Sequence, residues 1–250
     1  QIILICRPRL QSPPANRLLY LRERIKIKIL KKGVSHFIVI SKSEIENYNK
    51  YWQIAKENMS FIPFKVNTEE ILSKFEKEDG NFIYSGGNSL RDYKTFFKAV
   101  EGTDINVKVL STLDFKNITI PKNVEIIDNS GTPEEFYGPC ARSKFAVFPI
   151  KPNYIRSAAQ GSYLGAMYMG KAVIVSDTPG VRDIINDNFN GLIVPPGDVE
   201  ALREKILKLW HDENLRKKIE YNAQRDIQKN YTHNNYIENI YNIFNLFTQH

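Results

Sequence analysis

A doubly wound α/β domain is the fold this sequence predicts, on three observations. Short apolar runs alternate with amphipathic stretches over most of the chain. The runs are continuously apolar, which marks a parallel sheet covered on both faces. The links between them are short and rich in glycine and proline, as in repeated strand–helix units.

From about Asn81 the order is regular. Asn81-Phe-Ile-Tyr-Ser-Gly is a strand that ends in Gly86-Gly87, and a helical stretch from Leu90 to Val100 follows, with Ser89 as its N-cap. Val107-Lys-Val-Leu and Val124-Glu-Ile-Ile are the next two strands. Thr132-Pro133-Glu134-Glu135 combines an N-cap, a proline in the first turn and early acidic residues, so it opens a helix. Phe145-Ala-Val-Phe-Pro-Ile is a buried strand, and a helix over about Ala159 to Met169 stops at Gly170. Ala172-Val-Ile-Val-Ser, a short helix at Val181 to Ile185 and Gly191-Leu-Ile-Val-Pro complete the sheet. Asp198 then caps a helix with Val199, Leu202, Ile206, Leu209 and Trp210 at helical spacing. Helices over about Glu213 to Lys229 and His233 to Phe247 follow, the last with an apolar stripe of Tyr236, Ile240, Ile243, Phe244 and Phe247 expected to be packing surface.

The first 70 residues hold parts of a second unit. Asn16 to Lys32 reads as a basic amphipathic helix with Leu18, Leu21, Ile25 and Ile29 on one side, although Ile25-Lys-Ile-Lys-Ile alternates like a strand. Phe37-Ile-Val-Ile is a strand, Ser41 or Ser43 caps the next helix, and Ser60-Phe-Ile-Pro-Phe is a further strand. These units are too few to close a sheet. The expected organisation is an incomplete Rossmann-like segment at 1–70, a nucleotide-binding domain at 71–231 and a C-terminal helix at 232–250 that returns towards the first segment. The start at Gln1 implies a chain that begins mid-protein, and Ile2 to Ile5 is too short for a signal peptide.

Composition narrows the partner. The 250 residues carry a formal charge of +7 with 42% apolar content, which suits a soluble protein with an anionic partner. No apolar run approaches the roughly 18 residues of a membrane span. Much of the basic excess sits at Arg17–Lys32 and Leu202–Lys229, without a nucleic-acid motif, so nucleic acid is not expected. The 17–32 stretch is either a solvated helix face or a contact for anionic membrane. Cys6 and Cys140 show no metal-ligand spacing, no metal is expected, and a cytoplasmic location fits.

Ser157-Ala-Ala-Gln-Gly-Ser-Tyr-Leu-Gly-Ala-Met-Tyr-Met-Gly-Lys-Ala-Val-Ile-Val-Ser-Asp-Thr-Pro-Gly-Val-Arg-Asp-Ile-Ile, followed by Asn190-Gly-Leu-Ile-Val-Pro-Pro-Gly-Asp198, resembles the donor-binding core of the GT-B glycosyltransferases, especially their family 4. The resemblance extends over about Asn81 to Tyr231 and implies a GT-B architecture and sugar transfer from a nucleotide sugar to a saccharide, lipid-linked or protein acceptor. Backbone N–H groups at a helix start bind anions, and the small residues Ala158, Ala159 and Gly161 let a diphosphate approach them. The resemblance implies a basic residue after Gly86-Gly87-Asn88, and Arg91 matches it, since a guanidinium grips two phosphate oxygens at once. It places Glu135 and Phe136 by the nucleotide base. Asp92 is read as a dipole-matched first-turn residue, and Lys151 and Arg156 as rim cations.

The sequence departs from the pattern in one respect. Ser157 and Gly165 stand where the family's retaining members carry two glutamates, one for the transferred sugar and one for the ribose. Ser157 offers a hydroxyl and Gly165 only backbone, while Gln160 and Ser162 are the polar contacts of a Gln-Gly-Ser-type loop. No catalytic acid or base can be assigned: His36 sits in a strand pattern, and His211, His233 and His250 are peripheral. Two further functions therefore compete, a non-catalytic binding module with a decayed site and a sugar-nucleotide epimerase; the latter needs carboxylates and histidines around its cleft.

Overall fold

The computed structural model describes residues 5–6, 17–34, 36–66, 69–127 and 131–248. Gln1 to Leu4, Asn16 and His250 lie outside them, and Cys6 and Phe247 are described in their backbone alone. Two parallel sheets divide the chain. The first holds β1 (Ile5–Cys6), β2 (His36–Val39) and β3 (Met59–Phe61) in that order, with α1 (Arg17–Gly33) and α2 (Lys42–Trp52) as connections. The second holds β4 (Ile83–Gly86), β5 (Val107–Leu110), β6 (Val124–Ile127), β7 (Phe145–Phe148), β8 (Val173–Ser176) and β9 (Leu192–Val194).

The six-stranded order is β6-β5-β4-β7-β8-β9 with every pairing parallel. The chain winds outward from β4 in one direction, returns, and winds outward from β7 in the other. That reversal opens a crevice at the carboxyl ends of β4 and β7, where doubly wound sheets bind ligands.

Alternation within each strand explains the continuous apolar runs. Phe145 and Val147 face one core with Ile83, Val107, Val109, Ile174 and Leu192, covered by α4 (Tyr93–Val100) and α7 (Val199–His211). Ala146 and Phe148 face the opposite core with Tyr84, Val173 and Val175, beneath α5 (Pro133–Ala141), α6 (Gln160–Tyr168) and α8 (Glu213–Asn230). Both faces are covered along β4, β7, β8 and β9, so these strands need few polar residues, while β6 at the edge is partly exposed. Thr132 and Asp198 cap α5 and α7 as expected, each accepting a hydrogen bond from the third following N–H.

Several elements differ from expectation. α4 starts at Tyr93 with Asp92 as its cap, accepting from Thr95 N, so Leu90 and Arg91 precede the helix. Leu90 adopts φ 58°, a left-handed geometry that ends any helical run there. Val181 to Ile185 makes one turn, closed by Ile185 N donating to Val181 O. β3 ends at Phe61. The pairing of β1 and the short α3 (Glu69–Leu72) have no counterpart in the periodicity.

α1 is helical through Ile25-Lys-Ile-Lys-Ile, and the face it buries is not the one its stripe suggested. Ile27 is buried, with Tyr20 stacked on Trp52 at 6.1 Å. Leu18, Leu21, Ile25 and Ile29 are exposed. α9 (His233–Thr248) likewise keeps Tyr236, Ile240 and Ile243 half-buried and Phe244 exposed. Its start is tied to the first part of the chain, where His233 N donates to Glu69 Oε1 and, just before it, Val66 N donates to Tyr231 O.

Candidate functional site

The crevice is built from the turns that leave β4 and β7. Asp92 N donates to Pro149 O, Lys151 N to Leu90 O, and Arg91 bridges Ile150 in antiparallel register. The two turns are thus zipped together on one side of the sheet, and Ile150 N donates to Ser176 Oγ at the end of β8. A cavity of about 350 Å³ lies over them, lined by Gly87, Asn88, Ser89, Arg91, Arg156 and the run Ser157–Ser162, with Ile40 and Phe64 from the N-terminal segment.

Gly87 makes the first turn possible. Its φ is 107°, and an added Cβ would lie 2.6 Å from Arg91 Nη2, so glycine serves both the backbone and the close approach. Gly86 has no room for a side chain either, because the rings of Tyr84 and Phe136 close over it; its carbonyl accepts from Arg91 Nε at 2.9 Å. The Asn88 side chain is tied to the end of β5, accepting from Ser111 Oγ and Thr112 N and donating to Thr112 Oγ1.

Arg91 is buried, being 4% exposed. Its guanidinium donates to Gly86 O, to Ser89 O at 3.0 Å and to Ser162 Oγ at 2.9 Å, and lies over the Phe148 ring. Burial lowers its pKa, with Tyr93, Tyr84 and Tyr137 acting the other way, yet a guanidinium stays charged. Among the described residues it forms no ion pair with a carboxylate. A buried charge without a counter-ion is costly, and an anion in the cavity would supply one.

The second turn ends in an unusual helix start. Ala159 is the N-cap of α6 with φ 62° and no side-chain cap. Left-handed geometry is costly for alanine and persists where surroundings enforce it. Ala159 O takes the N–H groups of Ser162 and Tyr163, while those of Gln160 and Gly161 lie at the open helix end beside the cavity. Free N–H groups and the positive end of the helix dipole favour negative charge there. The cavity lining carries Arg91 and Arg156 and no carboxylate.

The structure thus brings Gly87, Asn88, Arg91, Ala158, Ala159, Gln160, Gly161 and Ser162 to one cavity, with Gly86 just behind it. Ser157 lines it too, but its hydroxyl and N–H both donate to Glu44 Oε1, at 2.9 and 2.8 Å. Gly165 is covered: an added Cβ would run into the Tyr137 ring, whose hydroxyl donates to Gly161 O. Glu135 is exposed on α5, and Phe136 packs edge-on against Tyr84 and Tyr137 beside Gly86. Lys151 is exposed, and among the rim cations Arg156 joins the lining. His36 is buried in β2 with Nε2 2.8 Å from Ser60 Oγ, and burial lowers its pKa.

Sequence reasoning missed Glu44 and Tyr137. Ser41-x-x-Glu44 is legible as a capping box, but nothing in it tells which distant loop shares the carboxylate. Among the described residues no group of three or more His, Cys, Asp or Glu is placed to hold a metal, and no described helix is long and apolar enough to cross a membrane.

Residues 162–226, from the opening of α6 to within α8, match the family model "Glycosyl transferases group 1". The capsular polysaccharide biosynthesis glycosyltransferase CapM of Staphylococcus aureus is 25% identical over 92% of this chain, which spans 65% of that relative. Among solved structures, Anabaena Alr3699/HepE in complex with UDP and glucose superimposes with a TM-score of 0.75 over 97% of this chain and 71% of its own, at 14% identity. The sucrose-phosphate synthase of Thermosynechococcus elongatus gives 0.73 over 94% and 63%, at 16% identity. The architecture is that of the GT-B glycosyltransferases, and the expected resemblance holds.

Proposed function

We propose that this chain, with its group 1 glycosyl transferase segment set in a GT-B architecture, is the donor-binding part of a glycosyltransferase that moves a sugar from a nucleotide sugar to a saccharide or lipid-linked acceptor. The observation that carries the reading is the buried Arg91, a cation without a carboxylate partner among the described residues, set against the uncapped start of α6. In this reading the diphosphate lies across the amides of Gln160 and Gly161, and Arg91 and Arg156 neutralise the charge that grows on the departing nucleoside diphosphate. Phe136, packed beside Gly86, is the apolar face this reading assigns to the base. The complex of Alr3699/HepE with UDP makes UDP the first nucleotide to try.

UDP is expected to raise the melting temperature of the chain, with GDP and ADP as comparisons. For a ligand at about 100 times its Kd the gain is about 2.7 kcal/mol. Equal melting curves with and without all three nucleotides would remove the reading.

A non-catalytic binding module is supported by one specific observation. Ser157 gives its hydroxyl to Glu44, and Tyr137 occupies the space above Gly165, so neither position offers the sugar a carboxylate. The same melting experiment, followed by release of free sugar over time, separates the two: the module would bind UDP and leave a UDP-sugar intact.

The finer assignment of partner concerns α1. Its exposed Leu18, Leu21, Ile25 and Ile29 sit among Arg17, Arg22, Arg24, Lys26, Lys28, Lys31 and Lys32, with Glu23 its single acid. Such a face suits anionic lipid on the cytoplasmic side. Co-sedimentation with vesicles containing phosphatidylserine, lost in neutral vesicles, is the expected result.

A further inference from the structure

We propose that Glu44 is a positioning residue: a carboxylate of the N-terminal segment that holds the loop 157–160 in its anion-binding shape and so makes donor affinity depend on contact with that segment. The proposal rests on the donor reading above for its effect on affinity, but not for its effect on the loop.

Glu44 stands in the first turn of α2 and is 4% exposed. Its Oε2 accepts from Ile40 N at 3.1 Å, which serves the helix start, while Ser41 caps the same helix by accepting from Ser43 N. In a capping box the carboxylate takes the N–H of the cap residue itself, whereas Glu44 takes the one before it. Here the second oxygen turns to the other sheet and accepts both the N–H and the hydroxyl of Ser157. Among the described residues Glu44 forms no ion pair. Its charge is held by these donors alone, which is costly unless all of them stay in place.

The neighbouring contacts point the same way. Gln160 Nε2 donates to Ile40 O, Asn47 Nδ2 to Ile155 O, and Asp183 Oδ2 accepts from Lys42 N at the start of α2. Gly180 sits at the junction with φ 89°, where an added Cβ would lie 2.7 Å from Gln160 Nε2 and 3.2 Å from Ser41 Cβ. The left-handed Ala159 lies between the two residues so gripped, Ser157 and Gln160. The N-terminal segment therefore supplies the constraint that keeps α6 open at its start.

The test compares wild type, Glu44→Gln and Glu44→Ala by amide exchange without nucleotide and by UDP titration. In Glu44→Ala, exchange in peptides covering 155–163 is expected to accelerate at least about tenfold, with α7 peptides unchanged, and UDP affinity to fall about tenfold. Glu44→Gln keeps an acceptor oxygen for Ser157 and is expected to lie between. Unchanged exchange at 155–163, or acceleration spread equally over α7, would overturn the proposal. If wild type ignores UDP while the loop still loosens in Glu44→Ala, the donor reading falls and the positioning of the loop stands. If loop and affinity separate, with exchange faster but UDP bound equally well, the link to the donor is overturned. Should Glu44→Ala not fold, Glu44→Gln and Ser157→Ala carry both measurements.

Discussion

Arg91→Met is expected to weaken UDP binding about a hundredfold, and Arg91→Lys to lie between it and wild type. Hydrogen bonds to charged groups are worth about 1.5–3 kcal/mol, and each 1.4 kcal/mol is about tenfold in affinity. The guanidinium also holds Gly86 O, Ser89 O and Ser162 Oγ, which methionine would leave without a partner. The orphaned acceptors cost stability as well, about 1–3 kcal/mol for a buried group left unpaired, so affinity is measured by calorimetry well below the melting temperature, at fixed salt. Lysine restores the charge without the fork that spans both turns. UDP affinity in Arg91→Met equal to wild type would remove Arg91 from the cradle.

The stability of the protein is expected to rise as pH increases from about 8 to about 9, to level off, and to fall above about 10. Lys171 is fully buried, its ammonium donating to Glu78 O and Ser143 O. Burial lowers its pKa from the ordinary 10.5 to about 8. Between those values the unfolded chain binds the proton and the folded one releases it, so unfolding becomes harder as pH rises. The full effect is about 3 kcal/mol. Cys140, buried nearby, acts in the opposite sense. Burial raises its thiol from 9.0 to about 12, so above pH 9 the unfolded chain loses a proton that the folded one keeps. Tyr231, raised to about 12, adds to that decline above its ordinary 10.0. Urea melts at a series of pH values would trace this maximum. Lys171→Met is expected to flatten the rise between pH 8 and 9, and a rise of equal slope in that variant would assign it to another group.

The six-stranded sheet was legible because its inner strands are covered on both sides and its edge strand β6 still carries an apolar run. Val107–Leu110 and Val124–Ile127 coincide with the runs read from sequence, and Asp198 and Thr132 announce their helices through side chains that bond locally. Errors collect where tertiary contacts override local preference. Ser89 and Asp92 are both good caps; the pairing of Arg91 with Ile150 draws the chain into an extended bridge and leaves the role to Asp92. The apolar stripe of α1 exists, but periodicity cannot tell a covered face from an open one, and Ile27 does the packing. At the site, glycines and the loop before α6 could be read because they are contiguous. Glu44 meets Ser157 across 113 positions of sequence, a separation over which no spacing rule operates.

The ring of Tyr137 over Gly165 imposes an order on how this pocket can change. Any residue larger than glycine at 165 strikes the ring while tyrosine remains at 137, and crowding of that kind costs about 1–3 kcal/mol. An acidic side chain could enter only after the aromatic group had shrunk, and the smaller group alone would leave a void. A change at either position alone is therefore expected to lower the melting temperature, and in a library an acidic residue at 165 would be recovered chiefly with a smaller residue at 137.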